Sequence, residues 1–295
     1  VDRSRGLGDV YKRQDLDRQL QIKKENNMKI FIITLTSILT LFCSQIFAQS
    51  AEEKGLEIIE KSIALDNGFV DSTVVGKMIL KDKSGNESVR SFKNFIFEEL
   101  DETLGDKSII VFTEPRDVKG TSLLTHANIE PKDDDQWLYL PALKRVKRIS
   151  SSNRTGKFVS SEFSYEDLST DEPEDYNFLW LEDINCPADP SLQCHVIEAT
   201  PKNKKSGYSK RVIYIDVSEL RYQTVKFHNR RGDLEKELNF KNYQKYLDKF
   251  WRADLLEMKN LQTGKSTNIT WENYEFQTNL SINDFNPEKL AKMAR

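Results

Sequence analysis

Residues 72–100 read STVVGKMILKDKSGNESVRSFKNFIFEEL. Residues 72–81 and 90–100 are rich in Val, Ile and Phe, and Lys83-Ser84-Gly85-Asn86 between them is a cluster of turn formers, so the stretch reads as two antiparallel strands joined by a hairpin turn. The same grammar recurs downstream. Turn signals at Leu104-Gly105-Asp106, Arg231-Gly232-Asp233 and Thr263-Gly264-Lys265 punctuate further strand-like runs at 108–113, 137–140, 208–215, 222–228, 235–243, 252–258 and 269–278. A meander this long cannot stay flat and must curl toward a barrel or split into two layers. The pattern predicts a mainly β, α+β domain built on one large curled antiparallel sheet.

Three segments depart from the strand pattern. In Ala51–Asp66, Leu56, Ile59 and Ile63 share one face, with Ile58 and Leu65 widening it, which is the period of an amphipathic helix; Asn67-Gly68 ends it. The stretch 151–170, rich in Ser and Asp, reads as helical or irregular, as does the closing stretch 284–293, with Pro287 near its start. With no internal repeat and no Pro/Ser-rich linker, 49–295 reads as a single domain.

The front of the chain has a different character. Met28-Lys29 opens an almost wholly apolar run, 30–42, followed by Cys43-Ser44-Gln45-Ile46-Phe47-Ala48 and the polar Gln49-Ser50. A membrane-spanning helix needs about 20 apolar residues, so this shorter run is sized for the core of a signal peptide. The layout predicts a start at Met28, a cleavable signal peptide over 28–48 cut after Ala48, a periplasmic mature chain, and an upstream extension, 1–27, outside the fold. Phe42 stands where lipoprotein processing needs a small residue, which argues against lipidation of Cys43. Export leaves two cysteines, Cys186 and Cys194, separated by a segment with two Pro residues. They are expected to form a disulfide that staples a loop; the spacing of a redox pair is missing.

Composition narrows the function. With 38% hydrophobic and 31% charged residues, the chain is too apolar for disorder and too charged for a polytopic membrane protein. Lys plus Arg number 44 against 47 Asp plus Glu, which argues against bulk binding to nucleic acid. His126, His195 and His228 fall on separate runs, and neither HExxH nor GxSxG, GxxxxGK[ST] or GxGxxG occurs. Asp133-Asp134-Asp135 lacks the spacing of a calcium loop. No metal, no cofactor and no catalytic constellation is expected. Bulky residues alternate along the strands instead. Phe95, Phe97, Trp137, Tyr139, Trp251, Leu255, Tyr274 and Phe276 are candidates to line an apolar cavity, against the plainer alternative that each is ordinary core. Lys144, Arg145, Lys147 and Arg148 form one basic cluster, a candidate surface for phosphate-bearing head groups or an acidic partner, against the alternative of a solvated strand face.

Three ordered blocks carry a family resemblance: 114–124 (EPRDVKGTSLL), 134–149 (DDQWLYLPALKRVKRI) and 161–168 (SEFSYEDL). Together with Gly232-Asp233-Leu234, Met258-Lys259-Asn260, Thr263-Gly264 and Ser281-Ile282-Asn283-Asp284-Phe285, the chain closely resembles the LolA-like "outer membrane lipoprotein-sorting protein" family of exported proteins. One departure is Ser160, where the resemblance leads to Gly before Ser161. The resemblance implies a half-open antiparallel β-barrel whose concave apolar face is covered by helices and suits acyl chains. It also implies a lipid or lipidated protein as cargo, peripheral contact with membranes, and an RND-type transporter as partner. The expected function is a non-catalytic periplasmic carrier or chaperone, with 151–168 as its cover; the alternative is a lipid-sensing or regulatory module using the same cavity. A sixteen-carbon tail costs about 12 kcal/mol to expose at ~0.8 kcal/mol per CH₂, so a carrier must hide all of it.

Overall fold

Thirteen strands, connected in sequence order, form one antiparallel sheet in the computed structural model, which describes residues 49–99, 101, 104–129, 131–170 and 172–293 and, ahead of them, only positions 16, 18–21, 23–25 and 28. The expected signal segment and upstream extension lie outside the described residues apart from those positions. Val1–Gln49 and Ser50–Arg295 are separate units, and the sheet belongs to the second. Among the described residues, no helix is long and apolar enough to cross a membrane.

The strands are β1 (Asp71–Lys81), β2 (Glu87–Phe97), β3 (Lys107–Glu114), β4 (Ser122–His126), β5 (Asp135–Leu140), β6 (Arg145–Ile149), β7 (Tyr176–Asn185), β8 (Gln193–Pro201), β9 (Tyr208–Asp216), β10 (Tyr222–Asn229), β11 (Leu234–Tyr246), β12 (Phe250–Asn260) and β13 (Ser266–Phe276). Their order across the sheet is β6-β5-β4-β3-β2-β1-β13-β12-β11-β10-β9-β8-β7. The first strand pairs with the last, from Ser72 opposite Phe276 to Lys81 opposite Ser266, so the free edges fall on β6 and β7, which are consecutive in the chain. The connection 150–175 therefore has to bridge the opening.

The sheet curls tightly around that connection. Gln136 of β5 donates to the Tyr165 carbonyl at 2.9 Å, and Tyr208 of β9 donates to Asp167 at 2.7 Å. These strands are nine steps apart in the sheet order, about 43 Å if the sheet were flat, yet they grip residues two apart in the chain. Only a half-open barrel brings them together. Its concave side holds the main core, with Met78, Phe92, Phe112, Leu123, Leu138, Ile197, Ile215, Phe227, Met258 and Ile269 all buried. Gly76 is required here: the Phe92 ring lies over it, and a Cβ would come within 2.3 Å of that ring.

Helix α1 (Ala51–Asp66) starts with a capping box in which Ser50 Oγ accepts from the Glu53 amide and the Glu53 carboxylate accepts from the Ser50 amide. Ile58 and Ile59 are its buried apolar contacts, and Gly55 lets its backbone approach β7 at Leu179 and Trp180. On the convex side, 3-10 turns lead into the short helix α2 (Leu290–Met293), and Phe285 and Leu290 cover Ile109, Val111, Leu124 and Tyr139. Cys186 and Cys194 are joined by a disulfide and pack with Val196 and Tyr214.

The described residues of the connection, 150–170 and 172–175, include four 3-10 turns and two strained positions. Val159 and Ser160 have φ of 46° and 63°, the left-handed region that costs a side-chain-bearing residue about 1–3 kcal/mol. Ser160 is the position where the family resemblance leads to Gly, and its backbone is the kind that Gly adopts freely. Ser160→Gly is expected to raise the unfolding free energy by about 1 kcal/mol in denaturant titration; an equal or lower value would show that the Ser side chain contributes more than the strain costs.

Candidate functional site

The concave face is occupied by the connection between the two edge strands. Phe158, fully buried, stacks on Phe112 with ring centroids 5.6 Å apart and meets Tyr165 at 5.8 Å. Phe112 lies 5.8 Å from Phe92, which in turn lies 5.3 Å from Trp271, so a chain of rings runs from β13 through β2 and β3 into the connection. Phe163 is buried in the same cluster. The hollow expected from the sequence is thus filled by side chains of the segment expected to cover it.

The segment is fixed in place by polar contacts with the wall. Arg90 of β2 hydrogen-bonds the Val159 carbonyl. The Glu162 amide donates to Thr267 Oγ1 at 2.9 Å, while its carboxylate accepts from Asn260 Nδ2 at 2.9 Å and from Lys157 Nζ at 2.6 Å. Glu166 accepts from the Gly207 amide at 2.9 Å and from the Ser206 hydroxyl. Asp167 accepts from Lys236 Nζ at 2.6 Å, from Tyr208 Oη at 2.7 Å and from the Ser164 amide at 2.7 Å. Lys236 and Asp167 form a pair with side chains only 6% and 3% exposed. Burial alone would drive the Asp167 carboxyl upward, but the charges of Lys236 and Arg211 and the hydrogen bonds outweigh it and hold the carboxyl below its ordinary range. Burial and the adjacent Asp167 charge push the Tyr208 phenol well up, so it remains a proton donor.

Nearer the ends of the segment, Asp133 accepts from Lys205 Nζ at 2.6 Å, Asn203 Nδ2 at 2.7 Å and Ser151 Oγ at 2.7 Å, which together outweigh burial and lower its pKa. The clefts here are small. One of about 90 Å³ is lined by Lys157, Glu162, Tyr208, Lys236 and Asn260 among others, and one of about 20 Å³ by residues that include Asp133, Arg154 and Asn203. Among the described residues, no cluster of His, Cys, Asp and Glu could hold a metal ion.

The expected cavity residues are distributed differently. Phe95, Phe97, Trp137 and Tyr139 belong to the convex cluster under the C-terminal stretch, with Phe97 5.8 Å from Phe285. They do not line the concave side, because strand alternation turns Phe92 of β2 and Leu138 of β5 inward and these four outward. Leu255 likewise takes the parity opposite to Leu256 and Met258, which pack in the concave core. Trp251 sits beside Arg221 and donates to Glu219 at 3.0 Å. Tyr274 and Phe276 share a face with Trp271, since a bulge at β13 inserts one residue between them; they stack with Phe250 and Tyr246. Of the basic cluster, Lys144 ends the β5–β6 loop and Arg145, Lys147 and Arg148 lie on the edge strand β6, all exposed, with Arg148 paired to Asp135.

Sequence reading missed Lys236, Arg211, Tyr208 and Asn260 as wall residues. The available signal was a charge at an inward position: Lys236 alternates with Leu238 and Phe240, and Arg211 with Ile213 and Ile215.

Comparisons agree with this architecture. The crystal structure of a putative outer membrane lipoprotein-sorting protein domain from Vibrio parahaemolyticus is 46% identical to the chain, covers 81% of it and 99% of its own length, and superposes with a TM-score of 0.78. A DUF1329 family protein from Desulfovibrio piger is 28% identical, covering 82% and 99%, with a TM-score of 0.76. A LolA superfamily protein from Nitrosomonas europaea, at 19% identity, 79% and 97% coverage and a TM-score of 0.61, shares the fold. A family model described as "-like: Uncharacterized protein" matches residues 105–292. No curated protein matches. On its own residues and on the Vibrio domain in particular, the chain belongs to the family of outer membrane lipoprotein-sorting proteins.

Proposed function

We propose that the protein is a non-catalytic periplasmic carrier that shelters the acyl chain of a lipid or lipidated protein on the concave face of its sheet after 156–168 withdraws. The observation that carries this reading is the position of Phe158 and Phe163. Two aromatic side chains from the linker between the free edges occupy the place a hydrocarbon would take, on a wall whose strands supply apolar side chains from β1 to β13. The linker's attachment through hydrogen bonds and ion pairs, rather than through strand pairing, is compatible with reversible displacement. The printed description of the Vibrio relative, lipoprotein sorting, suits the same job. The leader expected over 28–48 would deliver the chain to the periplasm, and an RND-type transporter is the membrane partner that the family resemblance suggests. Sheltering and handing on a tail needs no nucleophile, only a hollow and a trigger for the linker.

The exposed cations of β6 lie at the opening. Lys144, Arg145 and Lys147 have no ion-pair partner among the described residues, and Leu143 and Val146 stand exposed among them. This arrangement suits contact with an anionic membrane surface during loading, each cation near the surface being worth about 1 kcal/mol.

The reading is tested by purifying the exported protein and analysing its organic extract by mass spectrometry, alongside titration with a fluorescent fatty acid; a reproducible absence of lipid together with no binding of the probe would contradict it. Phe158→Ala is expected to lower stability by about 3 kcal/mol or more while strengthening capture of the fluorescent fatty acid, because the space it vacates is the space the tail needs. Loss of stability with unchanged or weaker capture would assign Phe158 to plain core. Replacing Lys144, Arg145, Lys147 and Arg148 with Gln should weaken binding to vesicles containing anionic lipid and leave the thermal transition in place, and unchanged vesicle binding would return the cluster to a solvated face.

A further inference from the structure

A row of side chains crosses the concave wall from β9 to β12. Arg211 is opposite Phe227, Phe227 is opposite Lys236, and Lys236 is opposite Asn260. Arg211 and Lys236 are each 5% exposed, and both lie over the rings of Tyr208 and Phe227. A wall that had only to hide hydrocarbon would place apolar residues here, since a buried ammonium is costly unless it is paired. Both hydrogen-bond acceptors of Lys236 Nζ, the Asp167 carboxylate at 2.6 Å and the Glu162 carbonyl at 3.3 Å, belong to the linker. The Tyr208 hydroxyl and Asn260 Nδ2 also point their hydrogens at linker carboxylates.

On the carrier reading above, the tail enters as the linker leaves, and Lys236 then loses both acceptors at once. A hydrocarbon cannot replace them. We infer that the cargo bears a phosphate head group, which takes the place of the Asp167 carboxylate against Lys236 and Tyr208 and of the Glu162 carboxylate against Asn260. This inference rests on the carrier reading and adds the chemical class of the cargo. Phosphate suits the site better than a carboxylate does. When Asp167 and Glu162 leave together, the ammonium, the phenol, the Asn260 amide and the Thr267 hydroxyl all converge on one region, and two carboxylate oxygens accept fewer hydrogens than the oxygens of a phosphate. Arg211 adds a second positive charge beside Asp167. The cleft of about 90 Å³ beside Lys236 and Tyr208 gives a head group its way in. In the closed state, Asp167 stands in for the ligand's charge as Phe158 does for its tail.

The test uses two pyrene-labelled lipids with the same acyl chain and glycerol, a lysophosphatidic acid and a monoacylglycerol, with inorganic phosphate as a third probe. Wild-type protein should bind the phosphate lipid about tenfold more tightly than the neutral one. Lys236→Gln should erase the preference, and so should Asp167→Asn combined with Lys236→Gln, which removes both charges of the buried pair together and so guards against a folding defect from leaving either one alone. Asp167→Asn alone should strengthen binding of the phosphate lipid and gain thermal stability from millimolar phosphate, which wild-type protein should not. Equal binding of both lipids overturns the head-group inference and leaves the carrier reading standing. Binding of neither overturns both. Inorganic phosphate that matches the lipid's affinity for wild-type protein overturns a lipid head group in favour of free phosphate, and a preference that survives both Lys236 variants overturns the assignment of this site.

Discussion

An antiparallel meander whose first strand pairs with its last must leave its free edges in the middle of the chain. Here those edges are β6 and β7, and the linker between them has no route that avoids the opening. Sheet twist and the need to bury one face curl the meander. The linker is therefore trapped against the concave side, where its side chains decide what else can be there. The aromatic chain from Trp271 to Tyr165, the strained turn at Val159 and Ser160 and the charged row on β9–β12 are all consequences of that path.

On the proposed carrier function the linker is a removable filling, and the magnitudes of its contacts fit that role. Burying Phe158 and Phe163 returns about 3–6 kcal/mol, whereas a sixteen-carbon tail returns about 12. The apolar exchange favours cargo. The polar exchange opposes it, because stripping one partner from a buried ion pair such as Lys236–Asp167 costs about 3–5 kcal/mol. The difference between these terms is small enough for a head group, a membrane surface or a partner protein to decide the direction. A linker held only by apolar contacts would be lost to any greasy molecule, and one held by strand pairing would never leave.

Much of the fold could be read directly. Helix α1 has the bounds its periodicity predicts, since a capping residue and an Asn-Gly terminator flank it, and nine strands stand where turn signals isolate runs of β-branched and aromatic residues. The strand β4 carries little strand signal because Ser122–His126 is short and contains Ser, Thr and His, and β7 carries little because Glu182 and Asp183 dilute its apolar run. Pairing with β8 brings Asn185 opposite Gln193 and places the disulfide at that end, a tertiary constraint that local propensity does not carry. The candidate site was harder to read. Period-2 alternation establishes that Phe95 and Phe97 share a face but not which face is concave, and the C-terminal stretch that gives the convex face its own apolar cover is remote in sequence. The inward charges of Arg211 and Lys236 break the apolar alternation, and that break is the sequence signal for a polar row on the concave wall.

Hydrogen exchange across 156–168, measured with and without a bound single-chain phospholipid, tests the central claim most directly. Amides of this segment should exchange slowly in the empty protein and become fast when the lipid binds, while those of β9–β12 stay protected or slow further. A lipid that binds and leaves the protection of 156–168 unchanged would mean that the linker never yields its place, and that cargo is held somewhere other than the concave face.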